Sequence, residues 1–320
     1  MSGTFPCPLC GNHEPSSKSA YAGLRDHLFG ARLTADYFWC PRCLVLYLGE
    51  NPGGEELLDL YEGYYTHASA PEATLRERLV GALEADLFFA RFGQAPGFRL
   101  PGGRRFLPRP IPRLARLERK YRHLGGLRPG RLLDVGCGDG RFLQDLARLG
   151  WEAEGLDFDP QAVAAARLRG VRAYQGELAS LDPELRWDVI TLAHVVEHVP
   201  DPLALLRTCR ERLAAGGSLW LETPNVLAPS HYQFGEAWRG LEPPRHLVLF
   251  SVRALQDLLL RAGFSSVETL PAAEVGPWLA AESQAIGGRI LREEGRAPAP
   301  CPLPGAHRSG DDFICLRAFA

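Results

Sequence analysis

Apolar positions along this chain change period several times, and each change marks an element. Leu132, Leu133 and Val135 surround one acid, Asp134, in a run short enough for a single buried strand. Close behind, Phe142, Leu143, Leu146 and Leu149 recur at helical spacing and stop at Gly150, so the pattern predicts strand, turn and helix in that order. The alternation continues, with strands expected near 131–135, 152–157, 171–174, 187–192, 217–223, 265–270 and 312–318 and helices between them. Asp159-Pro160 and Asp201-Pro202 each put a capping acid before a proline suited to the first helical position. Ser251 likewise precedes a helix that carries Leu255, Leu258 and Leu259 and closes at Gly263. Upstream, Leu75, Leu79, Leu83 and Leu87 line one face of an amphipathic helix over 74–92. Leu114, Leu117, Tyr121 and Leu124 form the inner stripe of another, and the Pro-, Gly- and Arg-rich stretch between the two reads as a loop.

The turn after the first of these core strands is Gly136-Cys137-Gly138-Asp139-Gly140. Glycines at alternate positions let a backbone approach a ligand closely. The next predicted strand ends in Asp157, 23 positions after Asp134, where a carboxylate can accept hydrogen bonds from both hydroxyls of a ribose. Phe158, beside it, is placed to cover an adenine. A dinucleotide site wants G-x-G-x-x-G to receive a pyrophosphate, whereas this turn is G-x-G-x-G with Asp139 inside it, and a carboxylate there repels a diphosphate.

Asp134 to Gly140 together with Asp157 resembles the class I S-adenosylmethionine-dependent methyltransferases. The resemblance extends through Trp187-Asp188-Val189-Ile190, the segment from His194 through Glu197-His198 to Pro202, and Leu213 to Leu219, over roughly residues 125–270. It implies an α/β fold, a Rossmann-like doubly wound seven-stranded sheet with its last strand antiparallel, and S-adenosyl-L-methionine as cofactor. It assigns the loop of Asp134, Gly136, Cys137, Gly138 and Gly140 to the methionine part of the cofactor and Asp157 to its ribose. Glu177 would meet the adenine amine, and Ala193 and His194 would flank the transferring methyl.

That core uses fewer than half of the 320 residues, so a second module is expected. Cys7-Pro-Leu-Cys10 and Cys40-Pro-Arg-Cys43 are two C-x-x-C turns separated by 29 residues. Two such turns complete a thiolate tetrahedron suited to a structural zinc ion, with strands around Phe38-Trp39 and Leu44 to Leu48. A redox pair is the other reading of each turn. The expected organisation is a zinc ribbon over 1–50, a helical linker or cap over 51–125, and a methyltransferase domain over 126–320 with a lid at 224–250 and an insertion at 271–310. Tyr61, Tyr64 and Tyr65 in the linker suit packing on the main domain or reaching into its cleft.

Net charge is −2, yet residues 99–131 hold eleven Arg or Lys and one acid, Glu118. Such a block reads as a solvated linker face or as a contact for an anionic partner. No apolar run approaches the length of a membrane span, and the first residues lack a basic and apolar leader, which points to a cytoplasmic protein.

Methyl transfer from a sulfonium needs the acceptor held in line and its proton removed. His198 and His246 are the candidate bases, with Glu197 to orient or charge a neighbour, and the bland alternative is that Glu197-His198 braces the next helix. Some small-RNA and quinone methyltransferases that this chain resembles carry a divalent metal on E-x-x-E-H, where His194 stands in place of the first acid. The favoured acceptor is a small molecule or a sugar or glycan, O- or C-methylated, as in the bacterial sugar, polysaccharide and natural-product methyltransferases that the chain resembles. The alternatives are an RNA methyltransferase that uses the ribbon and arginine block to hold nucleic acid, and a non-catalytic scaffold with a retained pocket.

Overall fold

The computed structural model describes residues 6–11, 19–30, 33–50, 60, 112–272, 274–305 and 310–320. The tyrosine run, the helix expected over 74–92 and the first part of the arginine block, 99–111, lie outside the described residues. In chain order the strands are β1 (Tyr21–Arg25), β2 (Thr34–Cys40), β3 (Val45–Leu48), β4 (Arg131–Val135), β5 (Glu152–Asp157), β6 (Arg172–Gln175), β7 (Trp187–Ala193), β8 (Leu213–Pro224), β9 (Val248–Phe250), β10 (Ser266–Thr269) and β11 (Phe313–Phe319). The helices are α1 (Pro112–Lys120), α2 (Arg141–Arg148), α3 (Pro160–Leu168), α4 (Pro202–Arg212), α5 (Pro229–Phe234), α6 (Val252–Arg261) and α7 (Gly276–Glu294).

The larger sheet has seven strands in the order β10-β11-β8-β7-β4-β5-β6, the doubly wound arrangement expected from the sequence. β4 pairs in parallel with β5 and β7, β5 pairs in parallel with β6, and β11 runs antiparallel to β10. Each of the seven core strands lies within a few residues of its expected place. The predicted caps form as well: Asp159 accepts from the N–H groups of Gln161 and Ala162, Asp201 from Ala204, and Ser251 from Ala254.

The chain divides into two compact units that do not follow chain order. One contains the described residues of 112–192 and 211–220. Its core gathers the stripe of α1 (Leu117) with Tyr121 and Leu124, the strand residues Leu132, Ala173 and Val189, and Leu143, Leu146, Val163 and Ala166 from α2 and α3. Trp151 is buried in the same cluster, at the entry to β5.

The other unit contains the described residues of 6–60, 193–210 and 221–319. Here β1, β2 and β3 form an antiparallel ribbon that gains a fourth strand, β9, from 200 positions further on. Val45, Leu46 and Tyr47 stand opposite Phe250, Leu249 and Val248. The connection expected to be a lid is therefore largely an interior segment of this unit: Val226, Ala228, Trp238, Leu241, Arg245 and Phe250 each expose 1% or less. Within 271–310 the expected helix is α7, closed by Gly295 in the left-handed conformation.

Candidate functional site

Three groups of side chains carry chemistry. The first is the glycine loop, within the unit that holds β4 to β7. β4 delivers Asp134 to a fully buried position, and the parallel register sets it opposite Gly155 on one side and Thr191 on the other. Thr191 donates to Asp134 Oδ1 at 2.8 Å, and Arg122 forms an ion pair with the same oxygen while donating to Thr191 Oγ1 at 2.7 Å. The Arg122 guanidinium also lies 3.8 Å from the Phe142 ring centroid. Burial pushes the Asp134 carboxyl upward, against the opposing pull of Arg122 and Thr191.

Beyond Asp134 the backbone turns sharply, with Gly136, Gly138 and Gly140 all at positive φ. Gly138 donates to Asp157 Oδ2 at 2.9 Å, and Asp159 donates to Asp157 Oδ1 at 3.0 Å. Asp157 thus ties the loop after β4 to the end of β5. The two segments also pack without space for a methyl group, since a Cβ at Gly155 would stand 2.6 Å from Cys137 Sγ. The outer face of Gly138 differs: nothing lies within 4 Å of where its Cβ would be. Asp139 pairs with Arg141 at 2.9 Å and Arg169 at 3.1 Å, so its charge is partly neutralised by the neighbouring helix ends. Phe158 is 45% exposed and Glu177 is exposed beside the end of β6.

The second group belongs to the other unit and follows β7. His194 adopts φ 54, a left-handed conformation that a histidine holds only when its surroundings impose it. Its N–H donates to Glu222 O at 2.9 Å, and its Nδ1 lies 3.2 Å from Glu197 Oε1. Burial of the ring's surroundings works against a charge on His194, but Glu197 and then Glu222 outweigh it and raise its pKa. Glu197 itself is fully buried. Burial alone would raise its pKa, yet the His194 hydrogen bond and the imidazoles of His198, His194 and His246 hold it down at about 2.

His198 and His246 meet edge to face with ring centroids 4.7 Å apart. Each is fixed through Nδ1 by a carbonyl: His198 by Arg245 O at 3.1 Å and His246 by Gly240 O at 2.8 Å. A carbonyl only accepts, so both Nδ1 atoms carry the proton and both Nε2 atoms carry the lone pair in the neutral rings. Burial and the neighbouring His198 lower His246 to about 4. Glu197 Oε, His198 and His246 offer ligand atoms within 4.8 Å of one another, a grouping able to hold a cation.

The ribbon braces this group. Tyr37, on β2, donates to His246 O at 2.7 Å, and the N–H groups of Leu247 and Val248 donate to Glu197 O at 2.7 and 3.2 Å. Arg245, 1% exposed, donates to Leu60 O and to Asp26 Oδ2 at 2.7 Å, with its guanidinium 4.5 Å from the Phe29 ring centroid.

The third group is Cys7, Cys10, Cys40 and Cys43, whose sulfurs lie within 4.8 Å of one another. Cys10 and Cys40 Sγ are 3.9 Å apart, and four sulfurs at zinc-bond length around one ion lie about 3.8 Å apart. Cys43 N–H donates to Cys40 Sγ at 3.4 Å, the polarity expected when a sulfur carries thiolate charge. Without a cation, burial pushes the Cys7 thiol up to about 12. The donor set and its spacing fit tetrahedral zinc.

The structure brings together Glu197, His198 and His246, which sequence reading named as catalytic candidates, and adds His194 to them through Glu197 rather than through the glycine loop. Sequence reading missed Arg122, assigned only to a basic block, and Thr191 and Tyr37. Arg122 follows the end of α1 at positive φ and nothing local sets it apart from the neighbouring cations; the others depend on pairings across long stretches of chain.

Ubiquinone biosynthesis O-methyltransferases are similar: that of Xanthomonas oryzae pv. oryzae is 38% identical over 103 residues, covering 30% of this chain and 43% of the relative. That of Alkalilimnicola ehrlichii is 38% identical over 128 residues, covering 37% and 51%. The chain thus spans about half or less of the length of these curated relatives. A solved S-adenosylmethionine-dependent methyltransferase from Thermotoga maritima aligns over 82% of this chain and 99% of its own at 18% identity and a TM-score of 0.43. The family model described as a methyltransferase domain matches residues 104–269, more than half of the 320 residues and the whole run from the glycine loop to His246, so this chain belongs to the methyltransferase-domain family.

Proposed function

We propose that this chain transfers a methyl group from S-adenosyl-L-methionine to an oxygen or carbon of a small-molecule or glycan-linked acceptor, and that its four clustered cysteines hold a structural zinc ion. The observation that carries the reading is the pair of hydrogen bonds that Asp157 accepts from the N–H groups of Gly138 and Asp159. It makes the glycine loop and the acid at the end of β5 one preorganised rim, with an open glycine face beside a carboxylate. A carboxylate oxygen that accepts one backbone N–H retains a second lone pair, so Asp157 can still receive two ribose hydroxyls. Asp134, Gly136, Cys137 and Gly140 shape the rest of the rim; Phe158 and Glu177 are assigned to the adenine side, and Ala193 and His194 to the methyl.

The cofactor supplies an activated methyl on a sulfonium. What remains for the chain is orientation and the acceptor's proton. Glu197, His198 and His246 are assigned to that proton, because two imidazoles with their lone pairs at Nε2 stand beside a buried carboxylate. The names of the curated relatives support an oxygen of a small molecule as the methylated atom. Among the described residues no helix is long and apolar enough to cross a membrane. The zinc ion has no open position for catalysis with four protein ligands, and its contribution is to the ribbon that backs His246.

The test is transfer of labelled methyl from S-adenosyl-L-methionine into fractionated bacterial extract. Label in small-molecule or glycan fractions supports the reading. Label confined to a nuclease-sensitive fraction would overturn the acceptor class, and no cofactor binding at all would overturn the activity.

A further inference from the structure

Five of the six tryptophans expose 7% or less, and the sixth departs from them: Trp278, in the first turn of α7, exposes 50%. Tryptophan is on average a well-buried residue, so a half-open indole on a helix calls for a reason. A single exposed aromatic would be ordinary, but this one belongs to a pair. The Arg239 guanidinium lies 5.9 Å from the Trp278 ring centroid and 6.0 Å from that of Phe29, which is 36% exposed, so two open rings flank one cation.

Two anchors set this pair beside the histidines. On one side, Arg239 N–H donates to Ser283 Oγ of α7 at 3.0 Å, and the next residue, Gly240, supplies the carbonyl that holds His246 Nδ1 at 2.8 Å. On the other side, a Cβ on Gly276 would stand 3.5 Å from Asp312 Oδ2, and the adjoining Phe313 meets the His194 ring edge to face, 4.8 Å between centroids. The first turn of α7 is therefore held between the segment that orients His246 and the strand that touches His194, whose side chain is 40% exposed.

Charge narrows the ligand. Arg239 already supplies a cation to the indole and is itself ion-paired with Glu242, so the rings have no call for a second cation and the guanidinium none for an anion. Asp312, and Glu222 with an oxygen 4.0 Å from His194 Nε2, further oppose an anion. A neutral ring remains, with an apolar face for the indole and hydroxyls at its edge for the carboxylates.

We propose that Trp278, with Phe29 beside it, is a stacking site for a neutral, hydroxyl-bearing ring, and that this ring belongs to the acceptor. A pyranose and a phenol or quinol share that chemistry, a flat apolar face edged by hydroxyls. The ring site stands on the geometry; its acceptor role rests on the proposed methyl transfer. Trp278 then governs which acceptor is held rather than how fast it reacts, because stacking holds the ring equally before and during transfer.

Fluorine NMR of the full chain labelled with 5-fluorotryptophan, without cofactor, tests the site, the resonance missing from Trp278→Phe being that of Trp278. The probes are methyl glucopyranoside, mannopyranoside and rhamnopyranoside in one arm and catechol and methoxyhydroquinone in the other, with benzoate and phenyltrimethylammonium as charged controls. At least one neutral arm should shift the Trp278 resonance saturably and move the His194 ring signals with it; the tighter arm names the source. Trp278→Ala, followed at His194, should bind that probe about tenfold or more weakly, and Trp278→Phe less so. Should the alanine variant fail to fold, Trp278→Phe carries the comparison. Silence from every neutral probe, tighter binding of a charged control, a shift at Trp278 with none at His194, or unchanged affinity in the folded variant would overturn the proposal. Because no cofactor is present, ring binding and methyl transfer fail independently.

Discussion

Asp157 is the residue on which the cofactor assignment can be tested most sharply, because its oxygens already have defined work. Oδ2 accepts from Gly138 N–H at 2.9 Å and Oδ1 from Asp159 N–H at 3.0 Å, in a residue only 9% exposed. Two ribose hydroxyls bound to the outer lone pairs of a charged acceptor contribute roughly 1.5–3 kcal/mol each, or roughly 3–6 kcal/mol together. Asp157→Ala should therefore weaken S-adenosylmethionine binding by roughly 10²–10⁴-fold. Asp157→Asn should fall short of rescue, since its amide nitrogen must face one of two N–H donors.

Isothermal titration with S-adenosylmethionine and with S-adenosylhomocysteine reads the effect. Both carry the same ribose and only the first carries the sulfonium charge, so a ribose contact predicts equal losses. A loss confined to S-adenosylmethionine would move Asp157 from the ribose to the sulfonium. A 2′-deoxy analogue closes the cycle: it should bind more weakly than the parent to the wild-type chain and equally to Asp157→Ala. An Asp157→Ala protein that is folded and binds within about threefold of wild type would refute the assignment.

Other substitutions probe what supports the sites. Arg122→Met leaves the Asp134 carboxylate buried without its ion pair and should cost about 3–5 kcal/mol in denaturant unfolding, whereas a surface role predicts less than 1 kcal/mol. Cys40→Ser, or a strong chelator, should release the zinc proposed at the four cysteines and loosen hydrogen-exchange protection in β3 and β9, which are paired; unchanged protection at β9 would uncouple the ribbon from His246. Tyr37→Phe removes the hydroxyl on the His246 carbonyl and should cost about 1–3 kcal/mol, with a larger relative effect on turnover than on cofactor affinity. His231 is buried, donates from Nδ1 to Val226 O and is lowered by burial to about 4. The unfolded chain, with an ordinary histidine near 6.5, binds the extra proton first, so this contribution is intact above pH 6.5 and is lost as pH falls toward 4, up to about 3 kcal/mol. Stability curves for His231→Gln should be flatter across that window, and an identical slope would refute the sign.

What could be read from the sequence and what could not divides by distance along the chain. The strand, glycine turn and helix from Arg131 to Arg148 were legible because each relation spans fewer than ten residues: apolar period, alternate glycines, a stop at Gly150. Asp157 was legible for a related reason, since in parallel winding the second strand returns beside the first after one helix, at a nearly constant interval. The cysteine quartet was legible from its spacing. Arg122 was not, because eleven cations in one stretch look alike until one of them meets a buried carboxylate twelve residues on.

The least legible part is the environment of His246. β9 is three residues long, too short to announce itself by alternation, and its partner β3 lies two hundred positions earlier. Nothing local distinguishes a connection that closes over a ligand from one threaded into a ribbon; burial does, and burial is a property of the partner. That same pairing explains why a small module with four cysteines should accompany a methyltransferase core. Below about 40 residues a module lacks enough apolar surface to stabilise itself, and β9 gives the ribbon a fourth strand while Tyr37 of the ribbon fixes the His246 carbonyl. If that exchange is the reason for the ribbon, zinc removal should disturb the geometry at His246 before it disturbs the glycine loop, an order that hydrogen exchange at Leu247 and Gly138 can establish or reverse.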